Sequence, residues 1–141
     1  MLAHAWSVLC DRCMFDRDSD GMNLDTIEGI EVRRDDGAAA MFVPCRLELV
    51  SLWYRGDPAW GGRHHAQLTV CSPTGAPLAR FPIDVDLTVR DRFRTRCVVE
   101  GLVLEQVGRH AFLVEIVDGP RPVEVARIPF QIDLAAPDPG Q

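Results

Sequence analysis

The chain has no lysine: all fifteen of its basic residues are arginine. Codon usage in a GC-rich genome accounts for that, and a functional preference for guanidinium forks would need a pocket in which to use them. No run approaches the roughly 18 consecutive apolar residues of a membrane-spanning helix. No window carries the i, i+3, i+4, i+7 stripe of an amphipathic helix. Enzyme signatures are missing as well: there is no G-x-S-x-G, no glycine-rich phosphate loop after a strand and no H-E-x-x-H. A basic balance is also lacking. The net charge of -6 and pI near 5.1 exclude nucleic acid and anionic membrane as partners held by bulk attraction. Five cysteines, at positions 10, 13, 45, 71 and 97, are odd in number and scattered, which makes no disulfide framework. The opening MLAHAWSVLCDRC lacks a basic n-region and reaches Asp11 and Arg12 before a full apolar stretch forms. The expectation is a reduced, cytoplasmic protein.

What is present is period-two alternation. With 47% hydrophobic and 26% charged residues, the 141-residue chain has the composition of one folded domain, expected over residues 1–134 with a disordered tail at 135–141. Ile83-Asp84-Val85-Asp86-Leu87-Thr88-Val89-Arg90 places four apolar residues on one side and four polar on the other. Further runs lie at 2–9, 24–32, 45–54, 65–70, 96–105, 110–117 and 123–134. Turn residues punctuate them: Ser72-Pro73-Thr74-Gly75-Ala76-Pro77, Asp118-Gly119-Pro120, and Asp57-Pro58 with Gly61-Gly62. Gly29 interrupts its run and predicts a bulge or a close backbone approach; Pro129 predicts an edge or bulge position. Eight short runs of this kind indicate an all-β sandwich or barrel.

The order of these features is similar to that of a family of short bacterial proteins of unknown function. The likeness rests on Ala3 to Leu9, Gly21-Met22-Asn23-Leu24, Gly29, Ser72-Pro73-Thr74-Gly75, Gly108-Arg109-His110-Ala111-Phe112 and Val117-Asp118-Gly119, and it covers residues 2 to 134. What it implies is an immunoglobulin-like antiparallel β-sandwich of seven or eight strands, with no activity attached. His110 stands where that family usually has an aromatic residue, a departure that bears on any tyrosine-corner packing.

Four stretches could carry chemistry. Asp16-Arg17-Asp18-Ser19-Asp20-Gly21 opens like a calcium loop, but Asn23 and Ile27 stand where the loop needs an apolar residue and a bidentate glutamate. A solvated turn is expected, with Asp16, Asp18 and Asp20 exposed and no ion between them. Cys10-Asp11-Arg12-Cys13 is a lone C-x-x-C without the second close pair that would mark zinc and without a βαβ setting for redox chemistry. Arg90, Arg92, Arg94 and Arg96 stand at alternate positions and, in an extended chain, project to one side as a stripe able to grip phosphates or an acidic partner. Against a grip on single-stranded nucleic acid, only Phe93 is interleaved for stacking. The loop from Trp53 to His65 concentrates the residue types that dominate interfaces, and Trp53, Tyr54, Arg55, Trp60, Arg63 and His64 are the candidate partner-binding residues. The expected function is therefore a non-catalytic interaction or accessory module that binds another protein or itself, without cofactor. The alternatives are a calcium- or zinc-dependent ligand-binding sandwich and, further off, a small hydrolase or redox enzyme.

Overall fold

A computed structural model of the chain describes residues 2–15, 21–32, 40–59 and 61–135. Where apolar side chains recur every second residue, the backbone is extended and turns one face inward. Among the described residues this yields nine strands and no helix. They are β1 (Leu2–Phe15), β2 (Met22–Thr26), β3 (Gly29–Val32), β4 (Met41–Arg55), β5 (Arg63–Cys71), β6 (Pro77–Asp86), β7 (Arg92–Leu104), β8 (Gly108–Ile116) and β9 (Val123–Leu134). One sheet has the order β2-β1-β4-β7, the other β3-β9-β8-β5-β6. The chain is all-β with two sheets, and no helix is long and apolar enough to cross a membrane.

The core draws on both sheets. Leu47, Leu49 and Trp53 of β4 and Val99 of β7 cluster with Leu68, Val85, Phe112, Val114, Phe130 and Ile132 of the five-stranded sheet, all buried. Phe112 and Phe130 meet edge to face, their ring centres 5.4 Å apart. Each fully buried aliphatic or aromatic side chain of this kind contributes roughly 1.5–3 kcal/mol by leaving water.

Two features differ from expectation. The strand count exceeds seven or eight because the run at 24–32, read as one strand, is two: β2 pairs with β1, whereas β3 pairs with β9 in the other sheet. Nor is every pairing antiparallel, since β3 runs parallel to β9, from Gly29 opposite Gln131 to Val32 opposite Leu134. The predicted close approach at Gly29 is what lets the chain dock there: a Cβ would collide with the carbonyl oxygen of Gln131. That atom is backbone and cannot swing aside. Gly29→Ala is expected to destabilise by about 1–3 kcal/mol, read as a lower urea midpoint at unchanged slope. An unchanged midpoint would contradict this docking of β3.

Other sequence marks fall into place. Pro129 sits opposite Ala111 in the part of β9 that β3 does not border, the edge position expected of a proline. The Ser72–Ala76 turn closes with Gly75 N–H donating to the Ser72 carbonyl at 2.9 Å and Ser72 N–H to the Ala76 carbonyl at 2.8 Å. The alternation at 83–90 stays extended only to Asp86, whose carboxylate accepts from the Thr88 N–H at 3.0 Å and its hydroxyl at 2.6 Å, turning the chain out of the strand. Ala135, assigned to the tail, is tied in by its N–H to the Val32 carbonyl at 2.8 Å; residues 136–141 lie outside the described residues.

Candidate functional site

Bulges decide what the outer face of the four-stranded sheet presents. Strict alternation from His4 would send Trp6 inward with it. The register between β1 and β4 instead shifts between His4 and Trp6, which puts an extra residue, Ala5, into β1. His4 faces inward, its ring edge-on to Trp53 at 5.1 Å, and Trp6 turns to the outside. From there the outer face is built of cross-strand rows, read from β1 through β4 to β7. Ala3, Tyr54 and Arg92 form the first; Trp6, Leu52 and Arg94 the second; Val8, Val50 and Arg96 the third; Cys10, Glu48 and Val98 the fourth. Aromatic and aliphatic side chains thus occupy the middle, with arginines along the β7 flank.

This face is not a flat, solvated one. Val50 and Cys10 have no exposed surface, although they point away from the core between the sheets. Beside them opens a groove of about 800 Å³, lined by Trp6, Met22 and Leu52 and by Arg90, Arg92 and Arg94. Its volume falls in the range of roughly 300–1,000 Å³ typical of binding clefts. The outer face of the five-stranded sheet is different in kind: Gln67 and Thr69 donate to Glu115 at 3.2 and 3.0 Å, an ordinary polar ladder.

One end of the groove face is closed by a buried ion cluster. Glu48, 1% exposed, accepts from Arg96 at 2.8 and 2.9 Å and from Arg46 at 2.6 Å. Burial alone would push the Glu48 carboxyl up, but the hydrogen bonds from Arg96 and Arg46 outweigh it and hold the carboxyl below its ordinary range. Along the arginine stripe, Arg96 pairs with Glu48, and Arg92 and Arg94 line the groove with Arg90, which precedes the strand.

The residues expected to bind a partner are dispersed. Trp53 is fully buried and donates its indole N–H to the Thr95 hydroxyl at 2.9 Å, so its side chain is a core element and no partner touches it. Tyr54 lies on the outer face in the middle of the first row and is exposed. Arg55 donates through Nε to the Leu87 carbonyl at 3.1 Å and through Nη2 to the same oxygen, which pins the β6–β7 connection. Arg63 is exposed beside Asp86. His64 is buried, with Nδ1 2.8 Å from an Asp118 carboxylate oxygen. Trp60 lies outside the described residues, as do Asp16, Asp18 and Asp20. Of the five that are described, Tyr54 alone lies on the outer face beside the groove. Trp6, Leu52 and Met22 carried no site reading in the sequence; the arginine stripe, Tyr54 and Cys10 were the legible pointers to this face.

Polar groups that could support catalysis are embedded elsewhere. His4 Nε2 lies 2.7 Å from the Ser7 hydroxyl, which in turn lies 2.7 Å from the Ser51 hydroxyl. Ser51 is fully buried, so this chain satisfies hydroxyls inside the fold, and burial pushes the His4 imidazole below its ordinary value. The thiols are held toward their protonated form. Burial, then the neighbouring Cys13, Glu48 and Asp11, push Cys10 up to about 11, against an opposing effect of Arg96. Burial likewise raises Cys13, Cys45, Cys71 and Cys97. All five are free thiols. Among the described residues no group of three or more His, Cys, Asp or Glu is placed to hold a metal ion.

No protein-family model matches the chain, and no significant match to a curated protein is found.

Proposed function

We propose that this protein is a non-catalytic interaction module that binds another protein through the grooved outer face of its four-stranded sheet, in a bacterial cytoplasm. The observation that carries the reading is the row of Trp6, Leu52 and Arg94, an aromatic, an aliphatic and a cation aligned across three strands at an open groove. Such a mixture is the composition of interface centres, where Trp and Arg dominate the energetics. A bulge that turns a tryptophan out of the core stabilises nothing by itself, which favours a use for it at the surface. Five free thiols fit a reducing compartment.

The fold is read further as an immunoglobulin-like sandwich. Its support is connectivity: β1-β4-β7 corresponds to the A-B-E order of that fold, and β9-β8-β5-β6 to G-F-C-C′. That would make the protein one more binding module on a scaffold widely used for binding, an analogy of fold and not of site.

The test compares partners recovered from the source cells by wild type, Leu52→Arg and Arg63→Ala. Leu52 points outward and is half-buried, so the substitution fills the groove without entering the core. Loss of a specific partner with Leu52→Arg and retention with Arg63→Ala is expected. Retention of every partner by a folded Leu52→Arg protein would overturn the reading.

A further inference from the structure

We propose that the hairpin made by the end of β1 and by β2 is a hinged strap, folded back across the outer face of its own sheet, that lifts to admit the partner protein. The admission of a partner rests on the interaction surface proposed above; the fold-back does not.

The chain must double back to reach the groove. β1 leaves β4 at Cys10, opposite Glu48, and from Arg12 to Phe15 it pairs, among the described residues, with β2 alone. On a straight strand, at roughly 3.3 Å per residue, Phe15 and the Met22 opposite it would stand about 30 Å beyond Trp6. Yet Met22 lines the same groove as Trp6, Leu52 and Arg94. The Cys13 thiol points the same way. Burial is the first influence on it, and Arg96, Glu48 and Arg94 follow. Arg94 belongs to the second cross-strand row and Cys10 to the fourth, so a straight β1 would carry Cys13 away from Arg94. The turning point is the register shift between Cys10 and Arg12, where Asp11 is the extra residue; a bulge bends the strand that carries it.

Folded this way, the hairpin has an apolar underside. Cys13 and Leu24 are directly opposite each other and so share a side, and Met22 precedes Leu24 by two residues on the same side. All three are half-buried, whereas Met14, Asn23 and Asp25 on the other side are exposed. A cover of this kind accounts for Val50 and Cys10, which have no exposed surface although they face away from the core.

The cover is weakly held. β2 is an edge strand of five residues, and no described residue from Asp11 to Thr26 is buried. Few buried contacts place a segment at the low-stability end of a fold, where local opening precedes global unfolding. Lifting the hairpin about the Asp11 bulge uncovers Val8, Val50 and Cys10 next to Leu52, which extends the apolar floor of the groove along the sheet. A partner bound there competes with the strap for one surface and draws out the open state.

The test uses thiols of the full native chain as reporters. Cys10 has no exposed surface, whereas Cys97, packed in the core between the sheets, keeps 7%. Static exposure therefore predicts faster alkylation of Cys97 by N-ethylmaleimide. A lifting strap predicts the reverse order, with Cys10 at least about tenfold faster, read peptide by peptide by mass spectrometry. Leu24→Ser weakens the underside at a residue that does not line the groove. It is expected to speed Cys10 further, leave Cys97 unchanged, and raise recovery of the partner that Leu52→Arg loses. An unchanged Cys97 rate shows that the fold is intact; if that rate rises, Leu24→Ala takes the place of Leu24→Ser. Labelling of Cys10 no faster than Cys97 overturns the strap. Faster Cys10 labelling in the Leu24 variant with unchanged or lower partner recovery overturns the admission of a partner by lifting, and the interaction surface stands as long as Leu52→Arg removes a partner. Partner retention by Leu52→Arg removes the surface itself, while the labelling order still decides the strap.

Discussion

Trp53→Ala is expected to lower folding stability by about 3–5 kcal/mol, the largest single effect in the molecule. The indole is fully buried and is the bulkiest side chain with no exposed surface among the described residues. Its removal opens a cavity between the sheets, takes away the edge-on ring contact with His4, and leaves the buried Thr95 hydroxyl without the donor it now meets at 2.9 Å. Trp53→Phe separates these contributions. It keeps most of the ring volume and loses the hydrogen bond, so about 1–3 kcal/mol is expected. Urea unfolding of both variants, with the slope checked against wild type, gives the comparison. A loss below about 1 kcal/mol for Trp53→Ala would place the residue outside a packed core.

The second large effect belongs to the ion cluster. Arg96→Ala strips the buried Glu48 carboxylate of its paired donor and leaves Arg46 alone to hold it. Breaking a buried pair from one side typically costs about 3–5 kcal/mol. Arg46 and water entering through the vacated position reduce the expected loss to about 2–4 kcal/mol at neutral pH. The pH dependence has a definite sign. In wild type the Glu48 carboxyl is held below its ordinary range, so its contribution is full above the unfolded value of about 4.3 and fades as pH falls through the lower folded value. The gap between wild type and Arg96→Ala should therefore be widest near neutrality and narrow in acid. A gap constant from neutral pH to below the ordinary glutamate range would mean that Glu48 is not the group Arg96 serves.

Alternation made most of the strands legible because a side-chain period of two survives wherever one face is buried. The run at 123–134 is β9 to the residue. What alternation cannot register is a bulge. Ala5 inserts one residue and reverses the facing of Trp6, so a tryptophan that counts as core by its spacing lines the groove. The shift between Cys10 and Arg12 acts alike: spacing sets Cys10 and Cys13 on opposite faces, yet both thiols feel Glu48 and Arg96. The division of 24–32 into two strands was hidden for another reason. Apolar residues recur on both sides of Gly29, at 24, 27, 30 and 32, while the backbone changes sheets there, and hydropathy carries no record of which partner a strand pairs with.

The site was legible in half. Arg92, Arg94 and Arg96 share one face because β7 is extended, as their spacing predicts. That Arg96 would be withdrawn by Glu48 was not readable, since the two lie 48 positions apart in sequence. The aromatic loop misled by composition. Trp53 and Tyr54 are neighbours in sequence, but on a strand neighbours face opposite ways, one into the core and one to the surface.

The most direct test of the interaction surface is photo-crosslinking in the source cells, with a photoreactive side chain at position 52 on the groove face or at position 80 on β6 of the other sheet. The account predicts a discrete crosslink to another protein from position 52, lost when Arg92→Glu and Arg94→Glu are added, and none from position 80. Crosslinks that form equally from both positions, or from position 80 alone, would contradict it.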